Sequence, residues 1–147
     1  MAQGDVTVFD EAKAKMIAGD WASTDNFYCA VMDNTTTPTA STATPVFGDF
    51  TEVTAAGSYT ANGTNLGALS TLVSEAAGTM TFDSSTNPTW AQDPLNDVDA
   101  YWAIIYNFTD AGKDALAFVD LGGPVDMTAG DLTITWSASG IFTIADA

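Results

Sequence analysis

The sequence predicts a mainly β protein, an antiparallel β-sandwich or barrel of jelly-roll-like build with one short N-terminal helix. Short apolar runs rich in β-branched and aromatic residues recur along the chain, and several alternate with period two. Turn signals such as Asn62-Gly63 and Gly122-Gly123-Pro124 separate them. Helical periodicity is confined to one stretch near the start.

That stretch is residues 9–18, where Val8, Phe9, Ala12, Met16 and Ile17 fall near one face. Asp10 and Glu11 open it and Lys13 and Lys15 follow, an order that suits the helix dipole. Gly19 is the expected stop. Asn26–Met32 is an apolar strand suited to burial on both faces. Residues 33–45 are rich in Thr, Ala, Ser and Pro, with nothing large and apolar to bury, and read as an exposed loop. Residues 46–53 are expected to pair weakly. Residues 66–73 alternate poorly, and Gly78–Asp83 places Met80 and Phe82 on one face.

Pro88–Trp90 is a short extended piece. Ala100–Phe108 is the strongest strand signal, and Thr109–Asp114 turns it into Ala115–Leu121, a hairpin ended by Gly122-Gly123-Pro124. Leu132–Trp136, a turn at 137–140 and a return at Ile141–Ile144 close the chain. At 147 residues this is one domain. The expected division is an N-terminal arm at 1–8 and a single β domain at 9–147.

Composition excludes several functions. Nineteen acids stand against three Lys, with no Arg and no His, for a net charge of −16. Without His there is no imidazole base or ligand, and without Arg no bidentate clamp for phosphate. Such a chain is repelled by nucleic acid and by anionic lipid. A strongly negative surface suits a salt-rich setting, where self-repulsion is screened. No apolar run reaches the roughly 18 residues of a membrane span. The first residues lack the charged and apolar regions of a signal peptide, so synthesis in a cytosol is expected. Cys29 lies in an apolar run and reads as a small core residue.

Asp93, Asp97 and Asp99, with Asn96, supply closely spaced oxygens and form a candidate calcium cluster. The Gly and distal Glu of the twelve-residue calcium loop are missing, and the plainer reading is a solvated turn before a strand. Carboxylate pairs are uninformative among so many acids. No Ser-x-x-Lys spacing, phosphate loop or zinc ligand set is present. The chain is therefore expected not to be an enzyme and to carry no cofactor. Of four Trp, Trp102 and Trp136 lie in apolar patterns, and Trp90 is the candidate for partial exposure, hence for a sugar platform.

One further set of residues carries a likeness. It comprises Met80-Thr81-Phe82-Asp83 with Pro88-Thr89-Trp90, Ala100 to Tyr106, Leu116-Ala117-Phe118-Val119-Asp120-Leu121-Gly122-Gly123, and Leu132-Thr133-Ile134-Thr135-Trp136-Ser137-Ala138-Ser139-Gly140-Ile141-Phe142. In this order the chain resembles small virion structural proteins of tailed bacteriophages. Val6-Thr7-Val8-Phe9 and residues 50–63 look similar too, while the Thr-rich loop departs from the pattern. The resemblance implies a capsid decoration or cement protein on the outer shell, assembled in the host cytoplasm and resident on the virion. It implies as partners the major capsid protein and further copies of this chain, a trimer being one such arrangement. It brings no catalytic residues. Contact candidates are Val6, Val8 and Phe9 of the arm, and Thr36, Thr37, Pro38 and Thr39 of the loop. A tail, adaptor or fibre component is the nearest alternative, and a carbohydrate-binding module is the alternative of another class.

Overall fold

Two apolar strands with both faces covered organise the molecule. A computed structural model describes residues 1–145; residues 146 and 147 of the expected β domain lie outside the described residues. The strands are β1 (Val6–Val8), β2 (Asn26–Met32), β3 (Thr64–Ala68), β4 (Val73–Ala76), β5 (Thr79–Phe82), β6 (Thr89–Trp90), β7 (Ala100–Asn107), β8 (Ala115–Val125), β9 (Leu132–Thr133) and β10 (Phe142–Ala145). The helices are α1 (Asp10–Ala18) and the single turn α2 (Leu69–Leu72), with a 3₁₀ turn at Phe47–Asp49. A five-stranded sheet runs β1-β8-β7-β2-β3, a three-stranded sheet runs β10-β5-β4, and β6 pairs with β9. Every pairing is antiparallel. The architecture is thus mainly β and sandwich-like.

Register explains the continuous apolar runs of β2 and β7. Cys29 faces Ile105 and Val31 faces Ala103, so these share a sheet face with Phe27. On that face Phe27 meets Phe82 of the second sheet at 5.8 Å between ring centroids. The opposite face carries Ala30, Ile104 and Phe118. Phe9 packs on Phe118 at 5.0 Å, and Phe47 stacks on Tyr106 at 4.3 Å. With both faces covered, neither strand needs polar alternation.

Helix α1 ends as expected: Gly19 is left-handed, and its N–H bonds Lys15 O and Met16 O. Its apolar face is narrower than the sequence suggests. Ala12 is buried, whereas Ile17 is 87% exposed. The hairpin of β7 and β8 forms, but Gly122-Gly123-Pro124 does not end it. Trp102 pairs with Asp120 and Ala100 with Val125, so β8 bulges over residues 121–124 and resumes. Positive φ at Gly122 and Gly123 makes that bulge possible. Residues 46–53 contribute only the bridges Val46–Asp114 and Glu52–Met32 around the 3₁₀ turn. The expected closing hairpin is also corrected, since β9 pairs with β6 and β10 with β5.

The N-terminal arm is corrected in the same way. Residues 6–8 form β1 and pair with Val119, Phe118 and Ala117 of β8. Residues 1–5 fold into a turn in which Asp5 N–H donates to Ala2 O and Ala2 N–H to Asp5 Oδ2. Two β-branched residues beside an apolar strand gain more from the ladder than from water.

Candidate interaction surfaces

The contact candidates split once the chain is folded. Phe9 is fully buried against Phe118 and Phe50, so it is a core residue and no contact. Val6 and Val8 are half-buried in the edge strand β1. In the Thr-rich loop, Thr36, Thr37 and Thr39 are exposed, whereas Pro38 is buried. The loop is tethered along its length. Trp102 Nε1 donates to Asn34 Oδ1, Asp10 N–H to Ala40 O, and Thr44 N–H to Glu11 Oε2. Thr39 and Thr42 close a local turn through Thr42 Oγ1, which donates to Thr39 O at 2.8 Å. Its exposed surface is therefore a pinned shelf.

The calcium candidates do not converge. Asp97 and Asp99 line a cleft of about 400 Å³ with Asp33, Asn34, Thr35 and Tyr101. Asp93 is elsewhere, packed under Gly57. Three of these carboxylates bind backbone. Asp93 accepts Leu95 N–H, Asp33 accepts Thr35 N–H, and Asp97 accepts the N–H groups of Thr54, Val98 and Asp99. The Thr54 bond above all holds the Asp97 carboxyl below the usual carboxylate range. Among the described residues no three of His, Cys, Asp or Glu are arranged to hold a metal ion. Asn96, which the sequence reading attached to this cluster, is a buried knot between loops.

The sugar platform is corrected as well. Trp90 is 4% exposed and lies against Tyr59 at 5.6 Å, because its strand turns the ring inward. Trp21 is buried, and Trp102 and Trp136 are half-buried, each with its indole N–H bonded. Trp90 is therefore closed to a sugar ring. Cys29 is fully buried, and desolvation pushes its thiol up to about 12, so it is inert at neutral pH. No helix among the described residues is long and apolar enough to cross a membrane.

One surface was not legible in the sequence. A groove of about 570 Å³ opens where the sandwich is unclosed, between the β1–β8 end of the large sheet and residues 131–141. Val6, Val119, Leu121, Leu132, Ile134 and Ile141 line it together with polar residues, among them Gln3, Thr133, Thr135 and Ser137, and with Asp5, Asp120 and Asp131. No family model, curated protein or solved structure matches this chain.

The three lysines complete the electrostatic picture. Lys13 pairs with Asp10 at 2.8 Å and Lys15 with Asp114 at 2.6 Å. Lys113 donates to Asn62 Oδ1 and lies over the Phe108 ring at 4.9 Å. Each lysine thus has a partner within the chain, and the Lys13–Asp10 pair stays solvent-exposed.

Proposed function

We propose that this chain is a structural protein of a bacteriophage virion, bound on the outer capsid shell as a decoration or cement protein. The observation that carries this reading is the ordered set of motifs through which most of the chain resembles such proteins. In the fold those motifs build scaffold: Phe82, Ile104, Ile105 and Phe118 are core, and Gly122 and Gly123 form the bulge of β8. A scaffold of this kind supports an adhesive role. Its buried polar side chains are satisfied internally, with no buried side-chain nitrogen or oxygen unbonded among the described residues. Its outward features are a tethered loop, an edge strand and a groove.

The mechanism is adhesion without chemistry. A rigid β body buries area across a seam between capsid subunits, of order 1,600 Å² for a stable contact. Many copies on one particle add avidity. Carboxylates over the exterior steer the protein toward cationic faces of the shell.

The test is co-sedimentation with purified capsids of the phage that encodes the chain, followed by electron microscopy of gold-labelled protein on intact virions. Label distributed over the shell supports decoration. Label confined to the tail supports the adaptor or fibre reading instead. Absence from particles overturns the virion assignment.

A further inference from the structure

We propose that the groove beside β1 seats an extended, Lys- or Arg-bearing apolar segment of a partner protein, added as a further strand to the five-stranded sheet. This deepens the virion reading, which supplies a shell protein as the partner.

The backbone provides the first half of the case. Among the described residues β1 is an edge strand whose one neighbour is β8. Phe9 N–H bonds Leu116 O at its far end, and Asp120 N–H bonds Asp5 O at its near end. In an antiparallel ladder these fix residues 5, 7 and 9 as the positions bonded to β8. The N–H and C=O groups of Val6 and Val8 therefore point away from the sheet. They form a ready template for another strand. Natural edges are blunted by Lys, Pro, a covering element or shortness; β1, Val6-Thr7-Val8, is short but carries neither Lys nor Pro.

Side chains provide the second half and define the occupant. Val6 shares its sheet face with Val119, and that face forms one wall of the groove. Ile134 and Leu132 form the other wall. A strand laid on β1 drops alternate side chains toward this space and turns the others outward. Asp5 accepts Ala2 N–H, Asp120 accepts Gly122 N–H and Asp131 accepts Gln92 N–H. Each uses one oxygen, and the second has no hydrogen-bond partner among the described residues. None of the lysines lines the groove. A lining that mixes apolar and polar side chains with three aspartates and no lysine, on a chain of net charge −16, fits a segment alternating apolar and cationic residues. A second copy of this chain, with three cations in total, matches these aspartates poorly.

The test uses a capped heptapeptide of alternating Lys and Val, with two controls: alternating Glu and Val, and the Lys/Val composition in two blocks. Saturable one-site binding of the alternating Lys/Val peptide alone, with slowed amide exchange at Val6 and Val8, is the expected result. Asp120→Asn with Asp131→Asn then weakens binding about fivefold or more at low salt, and less at high salt. Val6→Pro removes an outward N–H and no ladder bond, so it abolishes binding while the melting temperature holds. Should that variant fail to fold, amide exchange in the unaltered chain decides. Equal binding of the block peptide, absence of saturation, or unprotected Val6 and Val8 amides overturns the proposal. So does self-association of the free chain that Val6→Pro dissolves, since a second copy is then the occupant. Peptide failure with capsid binding intact removes the groove and leaves the virion reading. Capsid failure with peptide binding intact does the reverse.

Discussion

The side-chain oxygen of Asn96 accepts the backbone N–H of Tyr59 at 3.2 Å, in a position 6% exposed to solvent. The same oxygen takes Ser58 N–H at 3.0 Å, while Nδ2 reaches Ala91 O at 2.9 Å and Met127 O. One amide thus joins residues 58–59, 91 and 127, which lie far apart in the sequence. Asn96→Ala strands buried donors and acceptors together, at a cost of about 3 kcal/mol. Asn96→Asp keeps the acceptor, loses the donors and buries a charge, so it is destabilised at neutral pH and partly restored by acid. Urea unfolding of both variants at pH 7 and pH 4 checks this. A loss under about 0.5 kcal/mol for Asn96→Ala would contradict the knot.

Asp97 carries a pH dependence with a definite sign. Its folded-state carboxyl is held below its unfolded value by the Thr54, Asp99 and Val98 N–H bonds. A lowered carboxyl contributes stability that is complete above the unfolded value, near about 4. That contribution disappears as pH falls through the folded value. Asp97→Asn should therefore melt below the parent chain at pH 7, with the gap closing toward pH 3. The group is largely solvated, so the gap is modest. A gap that widens on acidification contradicts the assignment.

The cluster that contains Asp97 also predicts a negative result. The carboxylates of Asp93 and Asp97 are occupied by backbone N–H groups. Millimolar calcium should leave the melting temperature unchanged, and so should a chelator. A ligand of the folded state alone raises stability with concentration, so a calcium-dependent rise would show that the loops rearrange around a cation.

What the sequence disclosed, and what it hid, follows the range of the interactions involved. Helix α1 with its Gly19 stop, and the bounds of β2 and β7, rest on local pattern and were legible to within a residue. The fate of Val6-Thr7-Val8 was not. Its partner Val119 lies at the far end of the chain, and three residues cannot announce a strand by themselves. Phe9 and Trp90 misled because burial of an aromatic ring is set by what folds over it, here Phe118 and Tyr59. The bulge at Gly122-Gly123-Pro124 reads as a terminator unless the register with Ala100 is known. The groove draws on residues 3–6, 119–125 and 131–141, a set no window contains.

Gly63 tests the packing of β3 against β2. Its φ is +74°, and a Cβ there would sit 2.0 Å from the backbone oxygen of Cys29. Backbone cannot yield as a flexible side chain does, and the left-handed conformation adds its own strain. Gly63→Ala should cost about 3 kcal/mol or more, measured by chemical unfolding. Gly123 has positive φ but open space around its Cβ position, so Gly123→Ala should cost about 1 kcal/mol. Equal losses at the two sites would mean that conformation alone sets the cost.

Lys113 separates a side-chain effect from a backbone effect at one position. Its ammonium lies 4.9 Å from the Phe108 ring and 5.3 Å from the Phe47 ring, and donates to Asn62 at 3.0 Å. Its backbone is left-handed, with φ at 52°. Lys113→Ala removes the cation and keeps the strained backbone, for a loss of about 1–2 kcal/mol. Lys113→Gly removes the same cation but relaxes the backbone, recovering about 1 kcal/mol of that loss. The order of stability should be parent, then Gly, then Ala. Should Ala prove at least as stable as Gly, the ring contacts and not the turn geometry would govern this corner of the large sheet.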